Sequence, residues 1–307
     1  MNVIHVFAPA TVANVACGFD ILGFALESPG DEVIMRATST PKITITKITG
    51  DNQKLPFDPE KNTVSVPVLK LLEHLNSKQG FEIELHKNIP LSSGMGSSAA
   101  SAVAGVFAAN ELLGRPLSTI ELLPFAMEGE RVACGSAHAD NTGPSLLGGF
   151  AIIRSYEPLD VTKIKTPELF CALIHPDLIV HTADARKILK PEIPLPTAVK
   201  QWGNVAGLIA GLLNSDYELI SRSLQDVVIE PQRARLIKGF YDVKNAALSA
   251  GALGASISGS GPSVFALCRT RAIAEKAAES MQKAFSKYDV SSQIFLSKIN
   301  PNGPKIL

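Results

Sequence analysis

The chain has no excess charge of either sign: its 29 basic and 29 acidic residues cancel to a net charge of +0. It also has no block of lysine and arginine, which excludes nucleic acid or an anionic membrane surface as the main partner. Any anion site must be local. Cysteine is scarce. Cys17, Cys134, Cys171 and Cys268 lie far apart in apolar or small-residue settings, with no Cys-x-x-Cys pair. The expectation is buried, reduced thiols in a cytosolic protein. The six histidines show no His-Glu-x-x-His or other metal spacing. No run of 18 apolar residues marks a membrane span, and the N-terminus lacks the basic start of a signal peptide. Repeats and low-complexity segments are absent.

What is present is a buried-core composition. Hydrophobic residues make up 46% of the 307 residues and charged residues 19%, which argues against disorder and allows two domains. Residues 3–7, 32–37 and 42–48 read as strands, and 62–76 as a helix with Val66, Leu69, Leu72 and Leu75 on one side. Strand 81–86 and helix 99–113 follow. Ser118 and Glu121 form a capping box for a helix over 120–132. Residues 134–144 read as a loop and 149–154 as a strand. Prolines and charges at 156–167 mark a boundary between residues 1–160 and 161–307. Beyond it come strand 169–174, helices near 198–214, 216–228 and 232–250, strands 255–258 and 263–268, helix 271–288 and strand 290–296. Strands and helices mix without a regular βαβ repeat, so the fold class is α+β rather than a doubly wound sheet.

The most informative segment joins strand 81–86 to the following helix: Pro90-Leu91-Ser92-Ser93-Gly94-Met95-Gly96-Ser97-Ser98-Ala99-Ala100-Ser101. A glycine- and serine-rich turn feeding a helix N-terminus makes a phosphate cradle. Unpaired N–H groups and the helix dipole favour an anion there, and glycine lets the backbone approach it. Glycine and serine also build ordinary strand–helix connections and caps, so Gly-x-Gly alone leaves both readings open. The segment is not a P-loop, because Gly-x-x-x-x-Gly-Lys-Ser/Thr occurs nowhere. Nor is it a dinucleotide fingerprint: Ala99 stands where the third glycine would be, and no convincing ribose-binding acid follows.

Three further segments turn this signal into a strong one. They are 8–20 (Ala-Pro-Ala-Thr-Val-Ala-Asn-Val-Ala-Cys-Gly-Phe-Asp), Glu130 with Gly135-Ser-Ala-His-Ala-Asp-Asn141, and Ser256-Ile-Ser-Gly-Ser-Gly-Pro262. With residues 90–101 they resemble the GHMP kinases in order and spacing across nearly the whole chain. Segment 8–20, His138–Asn141, Thr182–Arg186 and Glu230–Arg233 are similar to the members that act on homoserine. The mevalonate-type Ser-Gly-x-Asp and the galactose-reading signature are absent.

The resemblance implies a two-domain sandwich with a ribosomal-S5-like first half and a ferredoxin-like second half. It implies phosphoryl transfer from ATP to the side-chain hydroxyl of L-homoserine, in a cytoplasmic homodimer. Residues 90–101 would wrap the triphosphate, with Asn62 and Lys87 lining the nucleotide pocket. Ser98 and Glu130 would hold Mg²⁺, which prefers one or two carboxylates beside phosphate and water. Arg186 and Arg233 suit the substrate carboxylate, with Arg235 as an alternative to Arg233, and Asp20 suits the ammonium. Asn14, His138, Asn141 and Gly259 would complete the substrate site. Asp140 aligns with the catalytic base of mevalonate kinases. Asn141 beside it cannot take a proton, so catalysis by alignment and charge stabilisation is the favoured alternative. Another alcohol as acceptor, or a ligand sensor without turnover, are the rival readings.

Overall fold

The structure, a computed structural model, describes residues 2–135 and 137–307, and of Cys134 the backbone alone. Eleven strands among these residues form two sheets. The larger contains β1 (Val3–Ala13), β2 (Leu22–Thr38), β3 (Ile43–Thr49), β4 (Gly80–His86) and β11 (Lys305–Ile306), ordered β11-β1-β2-β4-β3. The first part of β2 also pairs with β5 (Phe150–Tyr156), which pairs with β6 (Leu159–Ile164). All pairings are antiparallel except β3 with β4. The alternation of Ile83 and Leu85 with Glu82, Glu84 and His86 buries one face of β4 and leaves the other polar.

Helices α1 (Val66–His74), α2 (Ser97–Leu112), α3 (Leu123–Cys134) and α4 (Ala139–Leu147) cover this sheet. α2 lies at their centre, touching β1, β2, α1, α3 and α4. It is rich in alanine, and protein surrounds it on nearly every side, which small residues permit. Gly105 shows how close the packing is: a Cβ there would stand 2.1 Å from the Val64 carbonyl oxygen.

The smaller sheet contains β7 (Phe170–Pro176), β8 (Gly254–Ile257), β9 (Val264–Cys268) and β10 (Ser292–Lys298), ordered β10-β7-β9-β8 and antiparallel throughout. Between β7 and β8 run α5 (Thr182–Lys187), α6 (Leu195–Asn214), α7 (Tyr217–Ser223), α8 (Glu230–Arg233) and α9 (Phe240–Ser249), and α10 (Arg271–Ser286) precedes β10. With α9 and α10 on the sheet, β7-α9-β8-β9-α10-β10 is the ferredoxin-like arrangement expected for this half. The main core bridges the sheets: the Phe24 ring lies 4.8 Å from Phe150 and 6.0 Å from Phe265.

Several local expectations need correction. Residues 134–144 are not all loop, because α4 begins at Ala139 and continues through Pro144. Proline cannot donate to the carbonyl four residues back, here that of Asp140. β2 presses against that carbonyl at Gly23, where a Cβ would stand 1.9 Å from the Asp140 oxygen. The helix expected over 62–76 starts at Val66, because the Asn62 side chain builds a turn with Val64 N–H and Pro56 C=O. That over 120–132 opens as a short 3₁₀ turn, with Glu121 reaching back to the Ser118 N–H and hydroxyl. Helix 216–228 stops at Ser223, and 232–250 becomes α8 and α9, divided by Gly239 at φ +80°. β6 and α5 were hidden by charged residues at exposed positions. Cys17, Cys171 and Cys268 are buried free thiols; the Cys134 side chain lies outside the described residues. Among the described residues no helix is long and apolar enough to cross a membrane.

Candidate active site

A cavity of about 560 Å³ opens between the two sheets' loops. One end is the turn into α2. Gly94 has φ +78° and Gly96 φ +66°. A Cβ on Gly94 would meet the Ser258 carbonyl oxygen at 2.4 Å, and one on Gly96 the Thr11 hydroxyl at 2.0 Å. Both glycines therefore serve conformation and close approach together. The Ser258 hydroxyl donates to Gly94 C=O (2.7 Å), and Thr11 N–H donates to Met95 C=O (3.0 Å), so the turn is held by 258–262 and by β1. The first intrahelical bond of α2 runs from Ala100 N–H to Gly96 C=O. The N–H groups of Ser97, Ser98 and Ala99 precede it and, as at any helix start, lack an intrahelical acceptor, which suits them to an anion.

Not every residue of 90–101 reaches the cavity. Leu91, Ser92, Ser93, Gly94, Gly96, Ser97 and Ser98 line it. Met95, Ala99 and Ala100 are fully buried in the core, Pro90 borders a neighbouring groove, and Ser101 turns inward. Lys87 lines the wall, but its three donors are all engaged: the ammonium pairs with Asp31 and donates to Ser97 C=O (2.7 Å) and the Ser101 hydroxyl (2.8 Å). Asp31 also accepts from Asn88 and Ile89 N–H. Lys87 thus ties β4 and β2 to the first turn of α2 instead of presenting free charge to a nucleotide. Breaking such a buried pair costs about 3–5 kcal/mol. Lys87→Met is expected to lower the melting temperature by ~10 °C, measured by calorimetry; an unchanged melting point would contradict this role. Asn62 also lines the cavity with its amide engaged in its own turn.

The other end is built on the turn after β1. Asn14, Val15 and Ala16 are consecutively left-handed (φ 70°, 42° and 59°), and Asp20 is too (φ 60°). Such conformations cost about 1–3 kcal/mol each and persist only when the surroundings fix them. Here Val15, Ala16 and Cys17 are buried, and the Asn14 amide bridges Gly259 C=O (2.8 Å) and Asp20 N–H (3.0 Å). The run delivers the Asp20 carboxylate to Arg186 of α5, which donates to both oxygens at 3.0 Å. Arg186 also donates to His138 Nε2 at 3.3 Å. Burial holds His138 below the ordinary imidazole range, opposed by the Asp20 carboxylate and aided by Arg186, so the ring is a neutral acceptor. Arg233 donates to Ala185 C=O and Gly259 C=O, both at 3.0 Å. Burial, then the charge of Arg186, pushes its pKa down to about 10, which leaves it cationic. Both guanidinium carbons lie over the Phe19 ring, at 5.4 and 5.0 Å. Arg235 is exposed and away from the cavity.

Between the two ends stand Glu130, Asp140 and Asn141. Burial pushes the Glu130 carboxyl above its usual range, opposed by a hydrogen bond with Ser98 and by the charge of Lys87. Asp140 is pushed up to about 7 by burial and by the charges of Asp20 and Glu130. Asn141 Oδ1 accepts from the Thr11 hydroxyl (2.7 Å), which leaves its Nδ2 donors for the cavity. Tyr156, passed over as boundary sequence, donates its hydroxyl to Asp20 C=O and accepts from Ala139 N–H, joining the 14–20 turn to α4. Thr11 and Phe19 lay inside a recognised motif without being singled out. Thr182 and Ser260, which bond each other across the cavity mouth (3.1 Å), were missed in the same way.

Residues 62–149 match the GHMP kinase N-terminal domain, and residues 208–287 the GHMP kinase C-terminal domain. The chain belongs to the GHMP kinases. Among members of this family it is 57% identical to a homoserine kinase of Chloroherpeton thalassium over 98% of each chain. It is 55% identical to one of Chlorobium phaeobacteroides over the full length of both. A crystal structure of homoserine kinase from Cytophaga hutchinsonii superposes with a TM-score of 0.97 at 57% identity, covering 100% of this chain and 98% of that one. A mevalonate kinase from L. major shares the GHMP kinase fold at 15% identity and a TM-score of 0.73.

Proposed function

We propose that this GHMP kinase transfers the terminal phosphoryl group of ATP to the side-chain hydroxyl of L-homoserine, giving O-phospho-L-homoserine on the route to threonine. The observation that carries the reading is the charge arrangement opposite the phosphate loop: one carboxylate, Asp20, beside two guanidinium groups, Arg186 and Arg233. That set complements an amino acid's ammonium and carboxylate. Full-length identity to homoserine kinases supports the same acceptor. A cytoplasmic location and a homodimer belong to this reading through the family resemblance.

Phosphoryl transfer asks the protein for alignment and charge stabilisation more than for covalent help. The N–H groups of the first turn of α2 hold the phosphates, and the 258–262 turn braces the loop from the far side. The donor set fits Mg²⁺: the Ser98 hydroxyl and the Glu130 carboxylate are hard oxygens beside the phosphate loop, and one carboxylate suffices when phosphate and water complete the shell. When bound, Mg²⁺ neutralises charge on the phosphates. Asn14 and Gly259 shape the substrate wall, and His138 offers a neutral ring.

Asn141 aligns the acceptor. With Oδ1 occupied by Thr11, the amide presents donors to oxygen atoms gaining charge, and the hydroxyl proton leaves to phosphate or solvent. Asp140 is the rival proton acceptor, and pH separates the two routes. A carboxyl with a pKa of about 7 is mostly neutral below that pH, so an obligatory Asp140 base would cut the rate by about fivefold between pH 7 and 6 and by about tenfold per pH unit below that. The expected result is a kcat without that limb between pH 6 and 7, with Asp140→Asn retaining more than about a tenth of it. A fall of that size that vanishes in the variant would install Asp140 as the base.

ADP release measured with MgATP and L-homoserine, mevalonate, L-serine or galactose in parallel tests the function itself. Strong turnover with homoserine alone is expected. Turnover with another alcohol instead would remove the acceptor assignment, and ATP binding without turnover on any would favour a sensor.

A further inference from the structure

The two segments that recognise the acceptor come from distant parts of the chain: the 14–20 turn carries Asp20, and α8 carries Arg233. Behind the cavity, one side chain joins them. Gln201 of α6 is 9% exposed, and it does not line the cavity. Its Nε2 donates to Cys17 C=O (2.9 Å), inside the acceptor turn, and to Asp226 Oδ1 (2.9 Å). Its Oε1 accepts from Val227 N–H (3.0 Å).

Asp226 in turn organises the chain leading to Arg233. Its Oδ1 accepts from Val228 and Ile229 N–H (2.9 Å each) and its Oδ2 from Glu230 N–H (2.8 Å), which satisfies the first N–H of α8 from outside the helix. One turn later Arg233 enters the cavity wall and bonds Gly259 C=O, which the Asn14 amide also holds. The hydrogen bonds therefore form a closed circuit: turn 14–20, Gln201, Asp226, α8, Arg233, Gly259, and back to the turn.

We propose that Gln201, acting with Asp226, is a positioning residue that sets the spacing between Asp20 and Arg233 and so the affinity for the acceptor. The inference rests on the acceptor site described above. Only a primary amide supplies two donors and an acceptor from one neutral planar group. A glutamate would lose both donors and set a second carboxylate against Asp226. Methionine would match the length but leave Cys17 C=O and Val227 N–H without their partner. A side chain that merely fills space would, when replaced, lower stability and touch both substrates alike. A strut between the two halves of the acceptor site disturbs that end and spares the phosphate loop, which other bonds hold.

The test uses the full-length protein with Gln201→Met, and with Asp226→Asn as the second variant. Asp226→Asn keeps the shape but turns one carboxylate oxygen into a donor facing Glu230 N–H. The KM for L-homoserine is expected to rise by about tenfold or more, while kcat and the KM for ATP stay within about threefold. Amide hydrogen exchange of the substrate-free variants is expected to quicken together in residues 14–20 and 226–233, and to stay unchanged in 94–101. Equal effects on both KM values, faster exchange in only one of the two segments, or no change in either variant would each overturn the strut. Failure of the wild type to turn over homoserine would defeat the acceptor assignment instead, and the exchange pattern would still decide the role of Gln201.

Discussion

Replacing Glu130 by glutamine is expected to lower kcat by about 10³-fold, the scale of removing one preorganised charge from a phosphoryl-transfer site. The substitution keeps shape and volume, so α3 and α2 should stay in register. It removes the carboxylate beside Ser98 and the phosphate loop. Glutamine is a weaker ligand for Mg²⁺, and the neighbouring Lys87 ammonium cannot substitute, because its donors are committed to Asp31, Ser97 and Ser101. The KM for homoserine should change little, because Glu130 bonds Ser98 at the start of α2, whereas the proposed acceptor groups Asp20, Arg186 and Arg233 belong to the 14–20 turn, α5 and α8. Single-turnover rates over a range of Mg²⁺ concentrations give the readout, with partial recovery at high Mg²⁺. A kcat within tenfold of the wild type at ordinary Mg²⁺ would remove Glu130 from the metal site.

Asp20→Asn is expected to raise the KM for homoserine by about a hundredfold. The proposed binders of the ammonium and the carboxylate hold each other: Arg186 donates to both Asp20 oxygens. A zwitterion entering between them exchanges one ion pair for two. An acceptor with a carboxylate alone must take Arg186 from Asp20 and leave that carboxylate without a cation. A charge-assisted hydrogen bond is worth about 1.5–3 kcal/mol, and each 1.4 kcal/mol is a factor of ten, so losing the ammonium contact falls near the hundredfold mark. Asparagine also frees Arg186, so preference for homoserine over mevalonate should narrow. The ratio of kcat/KM values for the two acceptors measures this, and an unchanged ratio would separate Asp20 from ammonium recognition.

The phosphate loop, β4 and α10 could be read from the sequence because local pattern and tertiary role agree there: period-two alternation, a glycine-rich turn and an amphipathic helix. α4 could not, because Gly143 and Pro144 carry the local signature of a loop. The close approach of Gly23 on β2 to the Asp140 carbonyl that the proline leaves without its helical donor has no local signal either. Asp20, Arg186 and Arg233 were found as residue types suited to a zwitterion, but the pairing of Arg186 with Asp20 was invisible. It depends on a left-handed run at Asn14–Ala16 that no residue there favours except the asparagine. Lys87 was expected from the resemblance to line the nucleotide pocket, and it lines the cavity wall, but its ion pair could not be foreseen. Its partner Asp31 is set beside it by the β2–β4 register, which has no local signal. Tyr156 and Gln201 had no signal at all, since each acts through groups that the fold brings together from other elements.

The position of α2 has a consequence for how the two ends of the cavity respond to substitution. A helix enclosed by a sheet and three other helices tolerates little change in side-chain volume, and the phosphate loop at its end inherits that restraint. The opposite end of the cavity stands on a turn with Val15, Ala16 and Cys17 buried beneath it, two short helices and one circuit of hydrogen bonds. The two ends of the cavity are therefore restrained differently: a change of side-chain volume along α2 is felt by the sheet and three helices at once, whereas a change at the turn acts through single hydrogen bonds of the circuit.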